Sequence, residues 1–435
     1  MDEAERGLDA MTGRIAAHLL ERSHLVPPEG IAAVIAEAAR PLGVVGARIY
    51  LADLQQRNLR AVLGNAGQPP HVLVIDSTLA GRAYRTVSIH CSPAEQSPGW
   101  RVWIPLTDGT ERLGVLELAC DDVGEAMLAR YRMLASLAGL MVTSKTRHSD
   151  TLARGRRTGR MALQAELVWG FLPPRTFATD RVLVAAMLEP AYEVGGDAFD
   201  YSLVGDRLHV SIFDGVGHDL AAGLITSVGL ASCRSTRRAG GTLAEVAAHA
   251  DDAIARHFGN TRFLTALLCE LNVTTGRFAW IPCGHPPPLL IRGSRVIKEL
   301  SRKPQLPLGL ADLDSLTRGS PHRREPPRSA FGAQYAERLE PGDRVLLYTD
   351  GITEGRAPDG TRFGVDRLSD FIIRHSNAGI TAPETLRRLN HVIVEYQHGR
   401  LSDDATIVVI EWMPDRPQRM LASLTQPAQV PSVPR

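Results

Sequence analysis

No stretch of this sequence is apolar for long enough to cross a bilayer, which takes about 20 residues. The most apolar candidate, 134–142, is far shorter and has charged residues on both sides. The opening MDEAERGLDAMTGRIAAHLL is acidic where a secretory leader would be basic, so no leader is expected. Neither sign of charge dominates: 49 Lys and Arg stand against 48 Asp and Glu, a net +1. That balance gives no reason to expect binding to nucleic acid or to an anionic membrane. Cysteine is scarce and scattered. The five residues, Cys91, Cys120, Cys233, Cys269 and Cys283, form no CxxC pair. A disulfide framework and a thiolate zinc site are both disfavoured, and reduced thiols in a cytoplasmic protein are expected. Walker A, GxSxG, HExxH and GxGxxG strings are all missing.

What is present reads as several units, as expected for 435 residues. Residues 1–24 carry Leu8, Met11, Ile15 and Leu19 at helical spacing. A first domain over 25–143 combines a helix at 30–40 with strands at 47–51, 59–63, 71–75, 100–106 and 114–118. The last two are joined by TDGTER, a hairpin signal. This is a small α/β module with a mainly antiparallel sheet. The basic segment 144–175 reads as a connector helix ended by Pro173 and Pro174. It is either a solvated linker or a stalk that pairs with a second copy. A second domain, 176–412, follows the order strands, two helices, strands, two helices, strand. Hairpin links and segregated helices make it α+β. Residues 311–335, with the Arg-rich insert 318–328, read as irregular. The tail 413–435 is rich in Pro, Gln and Ser and reads as disordered.

Four strings carry acids: EVGGDAFD (193–200), IFDGVGHD (212–219), LLYTDGITEG (346–355) and LSDDATIVVI (401–410). Each alone has an ordinary reading. Asp-Gly after a strand makes a turn; an Asp before a helix caps it; an Asp before a strand is a solvated loop residue. Together they place Asp214, Asp350 and Asp403 beside strongly apolar strands, hence at the edge of a buried sheet, while Asp197 follows two glycines that let backbone approach a ligand closely. Carboxylates so gathered repel unless they are protonated or bound to cations. Oxygen donors without a Cys or His cluster favour Mg²⁺ or Mn²⁺. Two such ions about 3.5–4 Å apart can activate water and clamp a phosphoryl group. His285, in Gly284-His285-Pro286, reads as a turn residue with a structural role.

In this order the strings resemble the SpoIIE-type branch of the metal-dependent (protein phosphatase 2C-like, PPM) serine/threonine phosphatases. The resemblance runs from LQAELVWGFLPP through PAYEVGGDAFDY, FDGVGHDLAAGL, FLTALLCELN, GRFAWIPCGHPPPLLI and PGDRVLLYTDGITEG to DDATIVVI. It implies a four-layer αββα sandwich with two Mn²⁺ or Mg²⁺ ions at one end. Asp214 would bridge the ions, the Gly215 carbonyl would add a ligand, and Asp197, Asp350 and Asp403 would complete the sites. Asp404 is the alternative to Asp403. The implied reaction is hydrolysis of phosphoserine or phosphothreonine on a regulatory protein, such as an anti-sigma-factor antagonist, by a metal-activated water. Val216 stands where eukaryotic relatives carry a His, Asp219 stands where a Gly is common, and no residue matches their phosphate-binding Arg. Asp219 reads as a helix N-cap. The first domain resembles a GAF domain, with a PAS-like module as the alternative. That implies a sensory role, with or without a small ligand. Two other readings stay open: a catalytically inactive scaffold that binds a phosphoprotein, and a small-molecule receptor.

Overall fold

The computed structural model describes residues 3–62, 70–94, 98–293, 295–303, 305–310, 333–399 and 401–414. The insert 318–328 and the tail from 415 lie outside them. The chain forms two compact units that divide between Gly159 and Arg160.

The first unit contains α1 (Glu3–Ser23), α2 (Ile31–Ala38), β1 (Val44–Ala52), β2 (Asn58–Ala61), β3 (Val72–Val74), α3 (Leu79–Thr86), β4 (His90–Pro93), β5 (Trp100–Asp108), β6 (Glu111–Cys120), α4 (Glu125–Thr146) and α5 (Asp150–Arg156). The six strands form one antiparallel sheet in the order β3-β2-β1-β6-β5-β4. Alternation along the strands serves two cores. Ile49, Leu51, Ile104, Leu106, Leu116 and Leu118 pack with Ile15, Leu19, Ile35, Tyr131 and Leu134. Tyr50, Ala52, Trp103 and Val115 pack on the other face with Ala80, Ala83 and Tyr84 of α3. Thus α1 is part of this unit's core, because Ile15 and Leu19 are buried in it.

The segment 144–175 is not the single connector helix expected. It holds the end of α4, all of α5, and then α6 (Leu163–Phe171). Arg157 and Ala162 between them are extended, with ψ of 137° and 155°. The polar run here has no apolar stripe to bury, and Gly155 and Gly159 lower its helical propensity.

After α6 the second unit continues with β7 (Thr176–Ala178), β8 (Val182–Glu189), β9 (Ala198–Val204), β10 (Arg207–Gly215), α7 (Leu220–Arg238), α8 (Leu243–Phe258), β11 (Leu264–Asn272), β12 (Arg277–Cys283), β13 (Leu289–Arg292), β14 (Arg295–Glu299), β15 (Tyr335–Arg338), β16 (Arg344–Tyr348), α9 (Gly364–Asn377), α10 (Ala382–Tyr396) and β17 (Ala405–Trp412). Two antiparallel sheets result, β15-β12-β11-β10-β9 and β14-β13-β16-β17-β8-β7. Helices α7 and α8 lie on the first, α10 lies against β8 of the second with α9 beside it, and β17 meets β9 between the sheets. These are the four layers αββα. The inner strands are buried on both faces, so β8 and β17 read as unbroken apolar runs. No described helix is long and apolar enough to cross a membrane.

Candidate active site

Strand register gathers the acids. Phe213 of β10 pairs with Ala198 of β9, so Asp214 and Asp197 are neighbours one step further along. In the other sheet Tyr348 of β16 pairs with Ile407 of β17, so Asp350, just past β16, and Asp403 and Asp404, just before β17, share one edge. Hydrogen bonds join the two edges. Thr349 Oγ1 donates to Asp197 Oδ2 at 2.7 Å, and Thr406 N–H donates to Thr349 Oγ1 at 2.9 Å. Asp404 Oδ2 accepts from the N–H groups of Gly195 (2.8 Å), Gly196 (2.8 Å) and Asp197 (3.2 Å).

That last contact separates the two adjacent acids. Asp404 is buried and spent on the 195–197 loop, whereas Asp403 is exposed beside it. Asp403 is therefore the member of the pair with a carboxylate facing outward. The loop's glycines are required by proximity. A Cβ on Gly196 would lie 2.2 Å from the Gly215 carbonyl oxygen, and one on Gly351 would lie 1.8 Å from that of Asp404.

Electrostatics match the crowding. Burial and the charges of Asp214 and Asp404 hold the Asp197 carboxyl well above the usual range. Burial, then Asp350, Asp403 and Asp404, push Asp214 up to about 7, against a pull downward from the Thr265 hydroxyl. Asp350 is raised by desolvation and by Asp403 and Glu354. Among the described residues no three His, Cys, Asp or Glu side chains converge as a ready-made metal cage. The donor set still fits a hard divalent ion. Mg²⁺ keeps several waters and takes one or two carboxylates, and a cation would offset the burial and repulsion that raise these pKa values.

Several neighbours carry no sequence signal. Thr265 pairs with Asp214 across the ladder, and its Oγ1 lies 3.0 Å from Nδ1 of His285. His285 is buried, and burial lowers its pKa to about 3, so the ring is neutral as a structural histidine's would be. Asp200 stands outside the acid cluster, ion-paired to Arg234 (2.7 Å) and Arg237 (2.8 Å) of α7. Arg234 also donates to the Phe171 carbonyl at the end of α6 (2.6 Å). Asp219 caps α7, accepting from Ala222 N–H at 2.9 Å. Val216 and His218 are exposed.

Residues 204–413 match the family described as Stage II sporulation protein E (SpoIIE). Phosphoserine phosphatase RsbU of Bacillus subtilis is 23% identical over 229 residues, covering 52% of this chain and 62% of RsbU. Protein IcfG of Synechocystis sp. is 24% identical over 269 residues, covering 55% of this chain and 39% of IcfG. The chain thus spans less than two thirds of either relative. A crystal structure of RsbU and RsbW domains from Mycobacterium tuberculosis is 23% identical, covers 54% of this chain and 62% of that one, and superposes with a TM-score of 0.43. The match to the SpoIIE family lies within the second unit, Arg160–Pro417.

Proposed function

We propose that the second unit is a metal-dependent protein serine/threonine phosphatase acting on a phosphorylated regulatory protein, such as an anti-sigma-factor antagonist. The observation that carries this reading is the meeting of Asp197, Asp214, Asp350 and Asp403 at one edge of the paired sheets, with Asp214 raised to about 7 by burial and by its acidic neighbours. The name of the relative RsbU, a phosphoserine phosphatase, supports the choice of substrate.

Two divalent ions, Mn²⁺ or Mg²⁺, would supply the acidity that activates water and the positive charge that balances the phosphoryl oxygens. Asp197, Asp214, the Gly215 carbonyl, Asp350 and Asp403 are the groups that would hold them. Thr349 fixes the orientation of Asp197. Asp404 keeps the 195–197 backbone in place. The first unit, with its antiparallel sheet and two cores, would act as a GAF-like sensory module. Its signal would reach the site through α6, which packs on α7, the helix that starts six residues after Asp214 at Leu220. Pairing of two copies through 144–175 and a cytoplasmic setting belong to the same proposal.

The test is phosphate release from phosphoserine, phosphothreonine and phosphotyrosine peptides, with Mn²⁺ or with a chelator. Release from the first two, needing Mn²⁺ and reduced more than about 100-fold by Asp214→Asn, is expected. Phosphopeptide binding without release by the wild type, with Mn²⁺ present, would favour the scaffold reading instead.

A further inference from the structure

Acids that repel one another also repel a phosphoryl dianion, so a cation facing the substrate would complement this edge. Arg262 stands beside it. Leu264 of β11 pairs with Gly215 of β10, and the Val216 N–H reaches the Phe263 carbonyl at 3.4 Å, extending that pairing past the strand. Arg262 therefore runs alongside the turn that begins at Asp214. Its Nη1 lies 3.4 Å from the Val216 carbonyl oxygen, and its fork grips Asp219: Nη1 to Oδ1 at 3.1 Å and Nη2 to Oδ2 at 2.9 Å. It passes over Gly217, at φ +94°, where a Cβ would sit 3.8 Å from Nη1.

Two properties set this pair apart from a simple brace. Both side chains are solvent-accessible, Arg262 at 33% and Asp219 at 57%. Solvent reaches and screens both partners, so the guanidinium can exchange this acceptor for another. The carboxylate it grips through two nitrogens also presents the forked acceptor geometry of a phosphoryl group. Asp219 does two things here: it caps α7 and it holds Arg262.

We propose that Arg262 contacts the substrate's phosphoryl oxygens, and that Asp219 is the stand-in acceptor it leaves when substrate binds. This rests on the phosphatase reading above and assigns a residue to substrate binding within it.

Asn caps helices about as well as Asp, so Asp219→Asn removes the charge that holds Arg262 while α7 keeps its cap. Two measurements on the full chain with Mn²⁺ decide the matter: calorimetric binding of inorganic phosphate, and KM and kcat for a phosphoserine peptide. Arg262→Ala is expected to raise both the phosphate Kd and KM about 10- to 100-fold, the loss of a charge-assisted hydrogen bond. Arg262→Lys should recover part of this, and Asp219→Asn should leave both values unchanged or lower them. The Mn²⁺ concentration for half-activation should be the same in all four proteins. If Arg262→Ala and Asp219→Asn weaken phosphate binding alike, or raise the Mn²⁺ requirement alike, Arg262 merely pins the loop and the proposal is overturned. An unchanged phosphate Kd in Arg262→Ala overturns it too. Absence of turnover in the wild type would count against the phosphatase reading, while the phosphate-binding comparison still reads Arg262 by itself.

Discussion

At the residue scale the site turns on two adjacent acids with different work. Asp404 satisfies three buried N–H donors of the 195–197 loop, and Asp403 faces out. Asp404→Ala would leave those donors without their acceptor and should cost roughly 3 kcal/mol or more, read by chemical denaturation. Asp403→Asn should change stability by no more than about 0.5 kcal/mol while abolishing metal-dependent hydrolysis. The opposite pattern would exchange the two roles. The sequence could not make this choice, because neighbours on a strand point to opposite faces and a shift of one residue exchanges them. Thr349, Thr265 and Arg262 were illegible for a related reason. A hydroxyl or guanidinium without a motif acquires meaning only once register sets it opposite an acid.

At the scale of elements, the strands that deliver the acids were legible because they are long and apolar. Expected strands at 344–348 and 405–411 appear as Arg344–Tyr348 and Ala405–Trp412. Short polar elements were not. β4 reads HCSP, and α3 is only eight residues long with Gly81 inside it, so both are too short to stand out in the sequence; α3 is held by its Thr78 cap and by Ala80, Ala83 and Tyr84 packing on the sheet. The connector is not one helix: it is extended at Arg157 and Ala162, between α5 and α6, where Gly155 and Gly159 lower helical propensity. Bringing two sheet edges together has an electrostatic cost that should appear in the pH dependence of stability. Asp214 sits near 7 in the folded chain, against about 4 for an unfolded carboxyl. Between those values the folded chain keeps a proton that the unfolded chain has lost. Metal-free stability should therefore fall as pH rises from about 4 to 7, by up to about 1.4 kcal/mol per pH unit for one proton. Denaturation at a series of pH values, with and without Mn²⁺, checks this; a bound cation should flatten or reverse the slope. A slope already flat without metal would mean that the acids do not crowd as described.

For the whole molecule, composition and strand rhythm point to several units joined by a connector. The break falls between Gly159 and Arg160, inside the segment read as a connector. α1 belongs to the first unit's core, and α6 to the second unit. Each unit thus has its own apolar interior, and the chemistry is assigned to the second alone. The most direct test of that assignment is a Mn²⁺ titration of the full chain that follows bound ions and aryl phosphate hydrolysis together. Hydrolysis should rise in step with Mn²⁺ binding in the wild type, and both should be lost in Asp214→Asn. Hydrolysis that persists in excess chelator, or Mn²⁺ binding and turnover left intact in Asp214→Asn, would contradict the account.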